Sequence, residues 1–182
     1  MVQVIFFTVG TLVILWFSRR SLRRFDTHGF PRFFAFEAVL GLVVLNLRYW
    51  FVEPFTAQHL ASWCLLAISL IMLIWGVTLL RRLGKTGSVG ANSANFEWEN
   101  TGQLVTTGVF RYIRHPMYSS LLFLAWGTLL KDVTISTFGL AVVASAALFV
   151  TARFEELENI RRFGSAYHEY MKATHRFVPF LF

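Results

Sequence analysis

Charge is scarce in this chain, and negative charge scarcest. Only 15% of its 182 residues are Asp, Glu, Lys or Arg, with 10 acids against 17 bases. Soluble globular domains carry about 25% charged residues, so this complement argues against a water-exposed surface. Cysteine is nearly absent. The single Cys64 lies in an apolar run, which excludes a disulfide within the chain and argues against a metal–thiolate cluster. It reads as a small core or lipid-facing residue. The five histidines are scattered, and none forms His-x-x-x-His or pairs with cysteine, so no zinc constellation is present and no metal is expected. Walker, Gly-x-Gly-x-x-Gly and Gly-x-Ser-x-Gly signatures are also missing. Gly84-Lys85-Thr86-Gly87 lacks the earlier glycine of a phosphate loop. The two halves do not repeat each other, which weakens an inverted-repeat transporter reading.

What is abundant is oil. The chain is 55% hydrophobic and 17% aromatic, with 20 Phe and 6 Trp, a composition suited to lipid-facing helices with interfacial belts. Apolar stretches fall at about 2–18, 33–52, 57–80, 115–131 and 133–151. These predict an all-α, polytopic membrane helix bundle of about five spans, one domain over 1–182, with a cytoplasmic C-terminal helical segment. The stretch at 115–131 is thin, because a crossing takes ~20 residues. Positive charge follows the first apolar run, as Arg19-Arg20 and Arg23-Arg24, where a signal peptide would have it in front. This predicts a retained first span with its N-terminus outside.

The net charge of +7 is distributed as orientation signals and anionic-lipid contacts are, and not as a nucleic-acid surface is. Residues 19–32, 81–115 and 152–182 hold five Lys or Arg each, leaving Arg48 and Lys131 for the other side. The positive-inside rule then places both polar blocks of the chain at the cytoplasmic face. One block runs from Gly102 to Tyr118; the other is Arg153-Phe154-Glu155-Glu156.

These blocks hold costly groups. Arg114 and His115 stand next to lipid, where they must be paired, wet or in contact with a ligand. Behind the last span, Phe154, Leu157, Ile160, Phe163, Tyr167, Tyr170 and Met171 recur every three or four residues, the mark of one buried helical face. At ~100° per residue Glu156 falls near the centre of that stripe, Arg153 within it and Glu155 at its edge. Two readings follow: an internal Arg153–Glu156 pair at (i, i+3), or a carboxylate that holds a polar or cationic ligand beside an arginine that faces an anionic one. His115, before Pro116, reads equally as the cap of a helix.

Gly102-Gln103-Leu104-Val105-Thr106-Thr107-Gly108, Arg111-Tyr112-Ile113-Arg114-His115-Pro116-Met117-Tyr118, Glu155-Glu156, Phe163-Gly164-x-x-Tyr167-x-x-Tyr170 and Arg176-Phe177-Val178-Pro179 together resemble the isoprenylcysteine carboxyl methyltransferase family. That family belongs to a wider group with phospholipid N-methyltransferases and small-thiol S-methyltransferases. The resemblance covers about residues 81–182; the first two spans carry no signature. It implies an integral-membrane methyltransferase using S-adenosyl-L-methionine, with S-adenosyl-L-homocysteine as product. It also implies that Gln103, Leu104, Val105, Gly108, Phe110, Arg114, His115, Pro116, Met117, Tyr118 and one or both of Glu155 and Glu156 hold the cofactor. Arg153 would face the substrate and act with Glu156 in catalysis. The acceptor would be a lipophilic or small molecule reached through membrane lipids. Phe110 stands where a tyrosine is usual, and Ser120 where glycine is common. Alternatives are an NADPH-dependent, sterol-reductase-like membrane enzyme and a non-enzymatic small transporter or scaffold.

Overall fold

The computed structural model describes residues 1–84 and 102–178; Lys85, Thr86, Gly87 and Pro179 lie outside them. The described residues form α1 (Val2–Ser18), α2 (Gly29–Asn46), α3 (Ala57–Leu83), α4 (Pro116–Leu129), α5 (Ile135–Phe163) and α6 (Ser165–Ala173). Among them there is no strand, only an isolated parallel bridge between Ile113 and His175. The expected all-helical membrane bundle is what forms.

Three helical stretches are long and apolar enough to cross a bilayer: Gly29–Tyr49, Ala57–Leu83 and Ile135–Phe163. The other two expected spans are shorter helices. α1 has 17 residues and α4 has 14, and at 1.5 Å per residue α4 rises only about 21 Å. The expected boundary at residue 151 is absent, since α5 continues without a break to Phe163. Gly164 ends it with φ +60°, a conformation side chains resist, and α6 begins at once.

Helix association follows membrane rules: small residues allow close approach and hydroxyls cross-link backbones. Ala38, Leu42, Ala125, Ala141 and Ala144 form the seam of α2, α4 and α5. Between α3 and α4, Ser62 donates to the Gly127 carbonyl at 2.6 Å and Ser69 to the Ser120 carbonyl at 2.7 Å. A Cβ at Gly76 would lie 3.2 Å from Pro116, so glycine there lets α3 lie against the first turn of α4. α1 is held to α2 by Thr11 donating to Glu37 at 2.9 Å and Gln3 to the Val44 carbonyl at 3.1 Å. It otherwise turns its apolar side chains outward, Trp16 being 64% exposed.

This framework brings three separate segments to one end of the bundle. The stretch before α4, the last turns of α5 and the C-terminal segment after α6 meet there. His175 accepts from the Arg114 amide at 2.8 Å and donates to the Tyr112 carbonyl at 3.0 Å, and the His115 amide donates to the Arg176 carbonyl at 3.1 Å. Ser119 adds a 2.6 Å hydrogen bond to the Phe177 carbonyl.

Candidate active site

The site begins with a turn. Gly108 has φ +60°, a backbone conformation that favours glycine, and a Cβ there would lie 2.5 Å from the end of the Leu79 side chain, which would have to shift. The 3-10 turn Gly108–Arg111 that follows sends Phe110 inward, where Val105, Val109, Phe110 and Ile113 form a buried cluster against α3. Tyr170 of α6 donates to the Phe110 carbonyl at 2.7 Å, fixing the turn from the other side.

His115 occupies the N-cap of α4 with Pro116 as the first helical residue, yet its side chain makes no capping bond. The ring, 3% exposed, is free to point elsewhere. It stacks on Tyr118 with centroids 5.4 Å apart and planes 16° from parallel. Its Nδ1 lies 3.8 Å from Glu155 and its Nε2 3.5 Å from Glu156. Both distances suit electrostatic attraction but are long for hydrogen bonds, and Nε2 has no hydrogen-bond partner among the described residues. A buried, unsatisfied ring nitrogen is costly.

The two neighbouring glutamates differ sharply. Glu156 is 3% exposed and clamped by two arginines. Arg114 Nε donates to its Oε1 at 2.9 Å, and Arg176 donates through Nε at 3.0 Å and Nη2 at 2.7 Å. Arg114 Nη1 donates further to the Met171 carbonyl at 3.1 Å and to the Thr174 carbonyl. A carboxylate paired with two guanidinium groups has its burial cost offset. Glu156 thus joins all three segments from behind the site. Glu155, its side chain 27% exposed, accepts from the Tyr118 hydroxyl and turns toward open space.

That space is a half-open cavity of about 70 Å³ that continues into solvent. Eight of the residues expected to hold a cofactor line it: Leu104, Val105, Phe110, Arg114, His115, Met117, Tyr118 and Glu155. Gln103 is exposed at the side, Gly108 shapes the preceding turn, Pro116 is buried in the first turn of α4, and Glu156 stands behind the wall. Arg153 is exposed on α5 and makes no ion pair among the described residues, so the (i, i+3) pairing with Glu156 does not occur; Arg114 and Arg176 take that place.

Five lining residues were not among the expected ones: Leu80, Asn159, Phe163, Tyr167 and Tyr170. Asn159 lies one turn beyond Glu155, a signal available in the spacing. The two tyrosines belong to the Phe163-Gly164-x-x-Tyr167-x-x-Tyr170 motif, and their rings meet edge to face at 5.7 Å. Burial pushes both phenols upward from their ordinary range, with Glu155 adding to the effect at Tyr167. Both therefore stay protonated donors at neutral pH.

The resulting cavity joins one accessible carboxylate, one imidazole, an arginine and five aromatic rings other than histidine (Phe110, Tyr118, Phe163, Tyr167, Tyr170), at the boundary between the apolar bundle and its polar end. No solved structure matches the chain. Two rice proteins, from Oryza sativa subsp. indica and subsp. japonica, are each named probable protein-S-isoprenylcysteine O-methyltransferase. Each is 30% identical over 122 residues, which is 65% of this chain and 63% of theirs. Methanethiol S-methyltransferase 2 of Bradyrhizobium diazoefficiens is 24% identical over 153 residues, 79% of this chain and 58% of that protein. The chain thus spans less than two thirds of the length of these curated relatives. The family model for phospholipid methyltransferases matches residues 57–166, the stretch that carries α3, α4, α5 and most of the cavity wall. This chain belongs to the phospholipid methyltransferase family.

Proposed function

We propose that this protein is an integral-membrane methyltransferase that binds S-adenosyl-L-methionine in the cavity of His115, Tyr118 and Glu155 and passes its methyl group to an acceptor from the membrane. The observation that carries this is the half-open cavity that brings His115, Tyr118 and Glu155 together beside aromatic walls.

The donor set suits the cofactor. Glu155 is placed to accept hydrogen bonds from an ammonium or ribose hydroxyls. Phe110, Tyr167 and Tyr170 offer faces for an adenine, and Tyr118 a face for a cation–π contact with a sulfonium. Arg114 supplies positive charge toward a carboxylate, while Glu156 and the carbonyls of Met171 and Thr174 hold it in place. Bound there, the cofactor supplies an activated methyl group. The chain's own contribution is alignment and exclusion of water, because in-line displacement at a methyl carbon needs little else. Arg153, outside the cavity, keeps its separate proposed role toward the acceptor. The fifteen Lys and Arg within residues 19–32, 81–115 and 152–182, against Arg48 and Lys131 elsewhere, support a cytoplasmic site, with the N-terminus outside.

Calorimetry on the full chain in detergent or nanodiscs tests the reading. S-adenosylhomocysteine should bind and NADPH should not. NADPH binding would favour a reductase, and binding of neither would favour a transporter or scaffold. In the same preparation Arg153→Ala should raise acceptor KM with S-adenosylhomocysteine affinity unchanged; an unchanged KM removes Arg153 from the acceptor's path.

A further inference from the structure

Between α1 and α2 the chain builds a basic ledge. The 3-10 turn Ser21–Arg23 is seated on the first residue of α2: Ser21 is buried, and a Cβ at Gly29 would lie 2.5 Å from its hydroxyl oxygen. The Arg24 amide donates to the Ser21 carbonyl at 3.0 Å, and the Thr27 hydroxyl donates to the Arg24 carbonyl at 3.0 Å. Arg19, Arg20 and Arg23 are exposed around this turn, and among the described residues none of the three forms an ion pair. Asp26 is the one acid of residues 19–32. The Arg19 guanidinium carbon lies 3.9 Å above the centre of the Trp16 ring. An outward tryptophan at the end of an apolar helix marks the boundary between lipid and water, so the three cations stand at the depth of lipid headgroups.

Beside the ledge lies an open groove of about 220 Å³ between α1 and α2, lined by Val13, Ile14, Phe17, Ser18 and Phe36. Four of the five are apolar, and the fifth, Ser18, is followed at once by Arg19. Ledge and groove are at the same end of the bundle as the candidate active site, because the His28 amide, one residue before α2, donates to Glu158 of α5 at 2.9 Å. They are separate from that site, since none of their residues lines its cavity.

We propose that the groove and the ledge together bind a phospholipid with a net-negative head, one acyl chain lying in the groove and the phosphate meeting Arg19, Arg20 and Arg23. Guanidinium groups pair with phosphate oxygens through parallel N–H donors. Three arginines against one Asp favour a head with no cation of its own, and they repel the ammonium of a choline or ethanolamine head. An orientation signal needs charge alone, whereas here a folded turn holds the charges next to an apolar seat. Free phosphate would engage the ledge and leave the groove empty. The lipid would also brace α1, which Thr11–Glu37 and Gln3–Val44 hydrogen bonds otherwise tie to α2, so its binding should raise stability by mass action.

The test uses the full chain in detergent micelles, with phosphatidylglycerol or phosphatidylcholine of matched acyl chains added. Native mass spectrometry measures the bound lipid, and thermal unfolding reads the stabilisation. Phosphatidylglycerol should bind more tightly and raise the unfolding temperature further, and glycerol phosphate, which has no chains, should not displace it. Arg19→Gln, Arg20→Gln and Arg23→Gln combined should lower phosphatidylglycerol affinity ~tenfold or more, given what each cation contributes near anionic lipid. Lys at the same three positions should restore part of it. Val13→Phe, which fills the groove from a half-exposed position, should weaken binding with the arginines intact. Arg81→Gln, Arg82→Gln and Arg111→Gln combined remove the same charge from other exposed positions and should leave the affinity unchanged. Equal affinity for the two lipids, displacement by glycerol phosphate, or unchanged affinity in either the first triple variant or Val13→Phe would overturn the proposal. So would an equal loss in the second triple variant, which would reduce the effect to general surface charge.

Discussion

Glu155 and Glu156 are chemically identical and adjacent, yet a rotation of ~100° along α5 assigns them to different surroundings. Glu156 joins Arg114 of the segment before α4 to Arg176 of the C-terminal segment. Removing its charge strands two guanidinium groups, so Glu156→Gln should destabilise the protein by about 3–5 kcal/mol, the usual cost of breaking a buried pair from one side. Thermal unfolding in detergent reads that loss. Glu155→Gln keeps the fold, because Tyr118, its hydrogen-bond partner among the described residues, retains an acceptor. It should instead weaken S-adenosylhomocysteine binding by about 1–3 kcal/mol. His115→Ala should cost a similar amount of affinity if Nε2 meets the cofactor; unchanged affinity would reduce His115 to a packing partner of Tyr118. Equal effects of the two glutamine variants in both assays would contradict the division of roles.

At the scale of elements, glycines do two different jobs. Gly108 combines φ +60° with a Cβ position 2.5 Å from Leu79. Gly108→Ala should therefore cost about 1–3 kcal/mol in strain alone and move Phe110 away from the cavity, which calorimetry would register as weaker cofactor binding. Gly139, inside α5, faces nothing within 4 Å. Gly139→Ala should be neutral or stabilise by about 0.5–1 kcal/mol, the ordinary helix preference. Denaturation midpoints of the two variants should move in opposite directions or differ by more than that amount.

The periodicity of α5 carries a lesson at the same scale. Counting apolar residues put Arg153 and Leu157 on the buried face with Glu156 at its centre. In the fold Glu156 is indeed buried, but Arg153 and Leu157 are both exposed, Leu157 by 53%. Hydrophobicity reports burial where the outside is water. Near a bilayer the outside is also apolar, so leucine gains nothing by facing in. A charged residue with partners has more to gain inside, and Glu156 found them 42 residues earlier and 20 residues later.

For the whole molecule, the polar end with its cavity and the opposite end with Lys131 should lie on different sides of the membrane. Orientation can be read by labelling. With Cys64 replaced by serine, Asp132→Cys and His168→Cys should react with a membrane-impermeant thiol reagent from opposite sides, His168→Cys from the cytoplasm. Labelling of both from one side would invalidate the positive-inside assignment.

The sequence by itself determined the helices, the lipid-facing composition and the motif residues, because local periodicity, turn chemistry and the cost of charge near lipid are written in neighbouring positions. The Pro116 start of α4 and the tyrosines after Gly164 were legible there. Only the tertiary structure decided which glutamate faces the cavity and which arginines hold the other. It alone showed that Arg153 stands apart and that the turn after α1, in the signature-free N-terminal half, is seated on Gly29 beside a groove. Those outcomes depend on contacts between segments far apart in the chain, and no local pattern encodes which distant cation will reach a given carboxylate.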